Sequence, residues 1–338
     1  MKKIFRLFII SISLFIIPFG AVFAQRGSAN EQIINIRFVS ALPRNSDYGR
    51  ALDRLASDWK RVTNNQVNVI MTHGSQSSEA QLISSLRSNS IQAAVFSSAG
   101  LYDICPAVMN ISVPFMINNN AELDLVLNDI KPILESRVRE EFVVIAWSKA
   151  GWIYVFSKEP VFVPDDLRRL RLATSAELTD MNTVFKTAGF NLIEADWSNI
   201  GARLATGMIT AFYFIPTLIT PMNLHKGLHM LDLPIAPIMG AIVMNRVTWN
   251  KLNASSQQEI LRVTRAIATE FDNAMVRNEI NAKTSMETGG LVVNRPTQAQ
   301  QNVWFSDMQR SIPTLIGTVF DRELFNRINS VLQRARGR

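Results

Sequence analysis

The sequence predicts an α/β protein of two lobes that share one long helix. Strand-like and helix-like segments alternate over residues 33–96 and again over 163–216, which is the pattern of two separate, mainly parallel sheets. Near the C-terminal third, a helical pattern of roughly 30 residues starts at about 255 and is too long to fit inside one lobe. A length of 338 residues also favours two domains.

The first 24 residues have the layout of a secretory signal peptide. Lys2, Lys3 and Arg6 precede an apolar run that ends in Val22-Phe23-Ala24. We therefore predict that residues 1–24 are cleaved off and that the rest of the chain is exported. The alternative is an uncleaved membrane anchor, but this apolar run is short and is interrupted by polar residues.

The first lobe is predicted from residues 33–151 together with 241–282. Up to residue 140 its predicted elements are, in chain order, a strand over 33–41, a helix over 47–63, a strand over 66–72, a helix near 80–86, a strand over 91–96 and a helix over 121–140. The strands are apolar runs bounded by turn residues, and the helices repeat apolar residues every three or four positions. Such a series builds a parallel sheet with helical crossovers.

The second lobe is predicted from residues 152–240 together with 283–335. Strands over 142–150 and 152–157, separated by Gly151, are expected to pass from the first lobe into the second. In the stretch 163–216 the parallel strands should end at one shared crevice, where ligands of such sheets bind.

The C-terminal part of the chain begins with a predicted return strand over 241–244, followed by the long helix. That helix is expected to start at overlapping capping boxes, Ser255 with Gln258 and Ser256 with Glu259. Final helices over 298–312 and 321–334 should complete the second lobe.

The composition excludes several classes of protein. A hydrophobic content of 47% with 19% charged residues is typical of a globular chain and not of a disordered one. The formal net charge of +7 includes three cations of the signal peptide and is too small and too dispersed to predict a nucleic acid partner. Cys105 is the only cysteine, so an intramolecular disulfide is excluded and the residue is expected to be a small buried apolar side chain.

Catalytic and metal-binding motifs are missing from the sequence. It contains no GxGxxG, GxxxxGK[ST], GxSxG or HExxH pattern. His225 and His229 are four residues apart, but Gly227 lies between them and prolines flank the segment, so a metal site is not expected. The sequence therefore predicts no catalytic residue, no metal and no cofactor.

An ordered series of short motifs resembles the periplasmic substrate-binding subunits of tripartite ATP-independent periplasmic (TRAP) transporters. In that family a segment like D-L-K-G-L-K-I-R precedes G-x-x-P, W-x-E and A-L-x-T-G-x-x-D-G-x-x-N-P. The matching positions here are Asp166, Leu167, Leu170, Leu172, Gly189, Trp197, Leu204, Thr206 and Gly207. Pro106, Val113-Pro114-Phe115 and the segment 245–252 are also similar to family segments, and the resemblance covers about 33–332.

The resemblance implies a bilobal periplasmic-binding-protein fold of the type II-like class. It also implies a periplasmic receptor, and not an enzyme, that closes on a small solute and delivers it to integral membrane TRAP subunits.

The chain departs from the family pattern where the family binds its substrate. The arginine that forms a two-pronged salt bridge to a substrate carboxylate falls on Ala173, and a second family arginine falls on Ile153. The D-G-x-x-N segment falls on Thr210, Ala211 and Phe214, and the acid of W-x-E falls on Asn199. Neither alanine nor isoleucine can supply the planar guanidinium fork that binds a carboxylate through two hydrogen bonds.

We therefore predict a hydrophobic or amphipathic ligand. Along a strand, alternate residues share a face, so Phe212 and Phe214 should lie on one side of the sheet and Tyr213 on the other. The predicted ligand-binding residues are Trp152, Ile153, Ala173, Trp197, Thr210, Phe212 and Phe214, with Phe115 and Ser97 from the facing lobe. The alternative is that these aromatic residues fill a degenerate site.

Two further functions stay open from the sequence. An enzyme on the same bilobal scaffold would need Glu194, Asp196 and Tyr213 as its acid-base groups, since no other candidates lie near the crevice. A ligand-presenting protein would instead work with a soluble periplasmic partner, such as the helical-repeat (TPR-like) proteins associated with some relatives of this transporter type.

Overall fold

A computed structural model describes residues 33–175 and 179–337, apart from the side chain of Trp197. The predicted signal peptide, 1–24, lies outside the described residues.

From residue 33 onward, strands and helices alternate, as the sequence predicts. In order these are β1 (Ile34–Val39), α1 (Asp47–Val62), β2 (Val67–Thr72), α2 (Glu79–Arg87), β3 (Ala93–Ser97), α3 (Ser98–Ile104), α4 (Asn120–Val138) and β4 (Phe142–Trp152). A 3₁₀ segment, Pro106–Ser112, links α3 to the loop before α4. Helix α1 begins where the Ser46 hydroxyl accepts a 3.0 Å hydrogen bond from the Gly49 amide.

A second series of shorter elements follows β4. It comprises β5 (Tyr154–Ser157), α5 (Pro164–Arg168), β6 (Leu172–Thr174), α6 (Thr179–Thr187), β7 (Leu192–Glu194), α7 (Ile200–Ala205), β8 (Ala211–Phe214), α8 (Pro216–Ile219) and β9 (His229–Leu231). The chain ends with β10 (Pro237–Asn245), α9 (Arg246–Trp249), α10 (Ala254–Thr288), β11 (Val292–Asn294), α11 (Gln298–Ser311) and α12 (Arg322–Ala335).

These strands form two sheets. The first has the order β2-β1-β3-β10-β4, in which β1, β2 and β3 are parallel and β10 runs antiparallel to β3 and β4. The second has the order β11-β9-β5-β8-β6-β7, with β6 parallel to β7 and β8 and with β5 antiparallel to β8 and β9. The carboxyl ends of β1, β3 and β4 therefore meet at one edge of the first sheet.

The strand β4 continues through Gly151, whereas the sequence predicts a break there. Gly151 pairs with Ile238 and Trp152 with Pro237, and the ladder absorbs the irregularity as a register shift between Ile238 and Met239. The interruption before β5 falls at Ile153 instead.

Helix α10 is the long helix that the sequence predicts, and its 35 residues extend for about 50 Å. Near its start, the indole N–H of Trp59 on α1 donates a 2.8 Å hydrogen bond to the Thr264 hydroxyl. Near its end, Lys283 lies 2.5 Å from Asp232, which follows β9 of the second sheet. The helix therefore contacts elements of both sheets.

The start of α10 differs from the predicted capping boxes. Asn253, in an extended conformation, accepts a 2.8 Å hydrogen bond from the Ser256 amide and is the N-cap. The Ser256 hydroxyl instead donates to the Gln66 side chain at 2.7 Å. The Ser256 side chain, which the local sequence pattern predicts as a cap, therefore bonds to a residue distant in the sequence.

The two last helices pack against different parts of the molecule. The indole of Trp304 on α11 donates a 3.0 Å hydrogen bond to the carbonyl of Phe162, close to α5. Helix α12 packs against α4, where Arg327 forms a two-pronged ion pair with Asp129 at 2.5 and 3.1 Å. The expectation that both helices complete the second lobe stays a prediction, although α12 contacts α4, which the sequence assigns to the first lobe. The lobe boundaries stay a proposal.

Gly151 is tightly confined at the point where β4 leaves the first sheet. Its φ is +122°, and a Cβ atom placed there would lie 2.8 Å from Cγ2 of Ile215. Gly151→Ala should therefore lower the free energy of unfolding by about 1–3 kcal/mol, through backbone strain and this contact. Gly290→Ala is the matched control, because its φ is +100° but no atom lies within 4 Å. Guanidinium unfolding of both variants separates the backbone strain from the contact with Ile215. Equal losses of unfolding free energy in the two variants would show that this contact contributes nothing.

Candidate ligand-binding site

An apolar cavity of about 330 Å³ lies at the carboxyl edge of the first sheet. The sheet forms its floor, α1 and α10 form two walls, and the segment after β8 closes it from the side of the second sheet. The apolar lining residues include Leu52, Leu55, Phe96, Ala146, Ile215, Leu218, Ile238, Ile242, Ile267 and Phe271. This is the position at which ligands of open α/β sheets bind.

Helices α1 and α10 meet over this cavity through an aromatic pair. The rings of Tyr48 and Phe271 have centroids 4.0 Å apart, and the Tyr48 hydroxyl donates to the sulfur of Met275 at 3.0 Å. Burial, reinforced by the charge of Asp272, raises the pKa of Tyr48 well above its usual range. Among the described lining residues, those that α1 and α10 contribute include no acidic or basic side chain.

The segment after β8 brings Ile215 and Leu218 to the cavity. Pro216 fixes the first turn of α8, and Ile215 precedes it in an extended conformation. The absence of a side chain at Gly151 allows β4 to pass close to Ile215. The end of the apolar run 211–216 thus reaches the cavity, although its central residues do not.

Polar groups of the cavity include Glu79, Ser97 and Lys149. The Glu79 carboxylate accepts hydrogen bonds from the Ser97 amide at 2.7 Å and from the Ser97 hydroxyl at 2.8 Å. The Lys149 ammonium lies 2.5 Å from Asp124. Charged groups are therefore present at the rim of a mainly apolar space.

A second, more polar cavity of about 210 Å³ lies between β4, the start of α4 and α10. Glu279 of α10 accepts hydrogen bonds from the Tyr154 hydroxyl at 2.9 Å and from the Trp152 amide at 3.2 Å. Asp272, seven residues earlier, accepts from the Ser148 hydroxyl at 2.9 Å and from the Lys149 amide at 2.8 Å. Burial raises the pKa of both carboxyl groups.

The residues predicted to bind ligand are dispersed in the structure. Ser97 lines the apolar cavity, and Trp152 lines the polar one, where its indole donates to the Asn120 side chain at 3.0 Å. Ile153 is buried next to Trp152 and forms backbone hydrogen bonds to Ile235 and Ala236. Trp152 and Ile153 are adjacent in the chain, but their side chains belong to different hydrophobic clusters, and neither residue lines the apolar cavity with Ser97.

The predicted residues of the second sheet lie largely in its core. Phe212 is 0% exposed and stacks on Phe156 with ring centroids 5.1 Å apart, while Phe214 is half-buried on the same face. Ala173 is buried beside Phe212 in the neighbouring strand. Tyr213 packs in the cluster on the opposite face, as strand alternation predicts.

Three predicted residues remain. Thr210 lies at the amino end of β8, where its hydroxyl accepts a 2.9 Å hydrogen bond from the Arg171 amide. Phe115 packs against Trp304 and Phe305, with ring centroids 5.7 Å away in each case. The side chain of Trp197 lies outside the described residues. None of these observations places the three side chains at the apolar cavity.

The other residues singled out in the sequence have ordinary structural surroundings. His229 lies in β9 with its ring 3.2 Å from Asn294, and His225 precedes that strand, so the two do not share a helix face. Cys105 is buried, and burial raises the pKa of its thiol. Burial also raises the pKa of Tyr213 to about 12, and Glu194 and Asp196 are exposed.

Sequence reasoning missed the residues that form the two cavities. Tyr48, Leu52 and Leu55 carry only the signal of an amphipathic helix, which a core residue carries equally well. Asp272 and Glu279 carry a weak signal that could have been used: acidic residues seven apart lie on the same face of a long helix. No local motif marks any of these positions.

Two sheets, a crossing strand and a cavity at the carboxyl edge define a two-lobed solute-binding protein. The chain belongs to the bacterial extracellular solute-binding protein family 7, whose family model matches residues 38–316. This assignment confirms the predicted family. Its members are periplasmic binding proteins and not enzymes, so the alternative of an enzyme is set aside.

Solved structures of TRAP periplasmic solute-binding proteins share the fold. One from Ochrobactrum anthropi has a TM-score of 0.81 at 16% identity and covers 91% of this chain and 97% of its own. One from Ralstonia eutropha, with bound (S)-2-acetolactate, has a TM-score of 0.79 at 15% identity and covers 89% and 99%. One from Chromohalobacter salexigens, with bound D-glucuronate, has a TM-score of 0.78 at 16% identity and covers 88% and 99%. These likenesses confirm the predicted bilobal α/β fold.

No curated protein matches the sequence. Within the part of the chain that the structure describes, no helix has both the length and the apolar character needed to cross a membrane.

The buried carboxyl group of Glu279 should make stability depend on pH. Its folded pKa is raised above the ordinary value of 4.5, so the folded state holds the proton more tightly than the unfolded state does. Stability contributed by this proton is present below pH 4.5 and is lost as the pH rises toward the folded pKa. Glu279→Gln removes this loss of stability and keeps one acceptor oxygen, in place of the two that accept from the Tyr154 hydroxyl and the Trp152 amide.

Urea unfolding between pH 4.5 and 8 tests this expectation. The free energy of unfolding of the wild type should fall relative to that of Glu279→Gln as the pH rises. Glu259→Gln, on the exposed side of the same helix, is the control. The hydrogen bond to Arg262 lowers the pKa of Glu259, so the pKa shift is opposite in sign to that of Glu279. A wild type whose stability rises with pH relative to Glu279→Gln would contradict the expectation.

Proposed function

We propose that this solute-binding protein takes up a hydrophobic or amphipathic small molecule in the apolar cavity and delivers it to integral membrane TRAP subunits. The observation that supports the proposal most strongly is the lining of the 330 Å³ cavity, which is apolar on the sheet, on both helices and on the segment after β8. Burying one aliphatic or aromatic group there contributes roughly 1.5–3 kcal/mol, so a few such contacts suffice for binding.

The charged residues of the cavity also support this ligand class. Among the described lining residues there is no arginine, and the lysine present, Lys149, is already paired with Asp124. The positions that resemble the family's carboxylate-binding arginines hold Ala173 and Ile153, which are buried. The ligands of the Ralstonia eutropha and Chromohalobacter salexigens structures are organic acids. The described lining of this cavity has no guanidinium group to bind such a carboxylate.

The proposed ligand contacts differ from those predicted from the sequence. We propose Leu52, Leu55, Ile215, Leu218 and Phe271 as the apolar contacts, with Ser97 kept from the predicted set. Phe212 and Phe115 are not included, because each packs against other aromatic side chains in a core cluster. A helical-repeat partner remains a hypothesis from the sequence.

The proposal is tested by identifying what the exported protein carries. Protein purified from the periplasm without refolding should yield an apolar or amphipathic molecule in native mass spectrometry, and solvent extraction of the same sample should release it. A sample that holds only small carboxylates, retained through dialysis, would contradict the proposal.

A surface substitution at the cavity mouth provides a second test. Leu218 is 40% exposed, so Leu218→Asp should fold, but it places a charge against an apolar ligand. We expect its affinity for the neutral fluorescent probe N-phenyl-1-naphthylamine to fall about tenfold or more, equivalent to roughly 1.4 kcal/mol. Leu125→Asp is the control, since Leu125 is 48% exposed on α4 and does not line the cavity. Equal affinities in the two variants would exclude the cavity as the binding site.

A further inference from the structure

The apolar cavity has one polar corner, at the carboxyl end of β3. Glu79, from the first turn of α2, reaches Ser97 at the end of that strand. Both carboxylate oxygens accept a hydrogen bond from Ser97, one from its amide and one from its hydroxyl. The amide and the hydroxyl of Ser97 at the sheet edge therefore hold the carboxylate in position.

A close approach of the backbone makes room for this carboxylate. A Cβ atom at Gly100 would lie 2.4 Å from Oε2 of Glu79 and 2.7 Å from its Cδ atom. Glycine at this position of α3 therefore allows Glu79 to lie between α2 and α3 at the cavity. Any larger residue would displace the carboxylate.

The Glu79 carboxylate retains acceptor capacity and has no ionic partner. A carboxylate accepts about four hydrogen bonds, and Ser97 supplies two donors. Among the residues that the structure describes, no lysine, arginine or histidine nitrogen lies within 4 Å of Glu79. Donors for the remaining lone pairs must come from water or from a bound molecule.

The one cation among the described lining residues does not balance this charge. Lys149 lies 2.5 Å from Asp124, and its side chain is 14% exposed. Its backbone amide donates to Asp272, which fixes the residue on the α10 side of β4. Glu79 therefore carries the uncompensated charge of the cavity, and a carboxylate head group next to it would be repelled.

We infer that Glu79 is the specificity-determining residue of the cavity and selects an amphipathic amine. The apolar body of such a molecule lies among the aliphatic and aromatic side chains, and its ammonium group donates hydrogen bonds to Glu79. An alcohol supplies one donor and no charge, and an acid supplies a like charge, so affinity should decrease in the order amine, alcohol, acid. This inference rests on the proposed function, because it assumes that the apolar cavity is the binding site.

The test uses three probes that share one apolar body. Decylamine, decanol and decanoate, each below its critical micelle concentration, compete with N-phenyl-1-naphthylamine for the full-length exported protein at pH 7. Decylamine should bind at least about tenfold more tightly than decanoate, which is the scale of one charge-assisted hydrogen bond. The formal net charge of +7 falls to +4 without the three cations of the signal peptide, and it stays positive. This charge favours the acid by long-range attraction, so an amine preference cannot come from the overall charge.

Substitution at Glu79 identifies the selecting group. Glu79→Gln removes the negative charge of the carboxylate, so the affinities for decylamine and decanoate should come to within about threefold of each other. The affinity for decanol, which carries no charge, should stay the same. Glu141→Gln is the matched control, because Glu141 pairs with Arg87 on the surface and does not line the cavity. It should keep the wild-type order of affinities.

The outcomes separate this inference from the proposed function. If decanoate binds the wild type as tightly as decylamine, or if Glu79→Gln keeps the wild-type preference, the inference about Glu79 is overturned while the apolar site stands. If neither the fluorescent probe nor decanol binds, the proposed function itself fails. If Glu79→Gln does not fold, the affinities of the wild type for the three probes still test the amine preference. Glu79→Asp, which keeps the negative charge, then replaces Glu79→Gln and should keep that preference.

Discussion

The contact between α10 and β4 is the interaction on which the rest of the structure depends. Asp272 and Glu279, seven residues apart on the helix, hold the end of the strand through four hydrogen bonds to Ser148, Lys149, Trp152 and Tyr154. Two of these bonds satisfy backbone amides, those of Lys149 and Trp152, at the place where the chain leaves one sheet for the other. Burying two carboxyl groups for this purpose costs desolvation energy, which shows as raised pKa values, and the hydrogen bonds offset it.

The same contact positions the ligand cavity. With α10 fixed along β4, Phe271 and Ile267 stand over the first sheet, and α1 is joined to the helix through Trp59 and Thr264. The space between these elements is bounded at one end by Ile215 and Leu218. The first sheet, the long helix and the start of α8 therefore bound the cavity together.

The fold could be predicted largely from the sequence, whereas the site could not. Alternation and helical spacing are local properties, and they predict both sheets and the long helix because each element must bury one face. The site depends on which apolar residues pack into the core and which line the cavity, and the two kinds look alike in the sequence. Phe212 and Ile215 lie in one short apolar run, yet Phe212 stacks on Phe156 in the core while Ile215 reaches the cavity. Only the position of α1, α8 and α10 relative to the sheets distinguishes them.

The buried cysteine has a consequence for a protein that works outside the cytoplasm. Cys105 is the only sulfhydryl of the chain, and it lies in the apolar cluster between α3 and the following 3₁₀ segment. Burial keeps it in the thiol form, whereas oxidants and disulfides react with the exposed thiolate. The folded protein therefore presents no reactive thiol to an oxidising compartment, and it needs no disulfide-forming enzyme to mature.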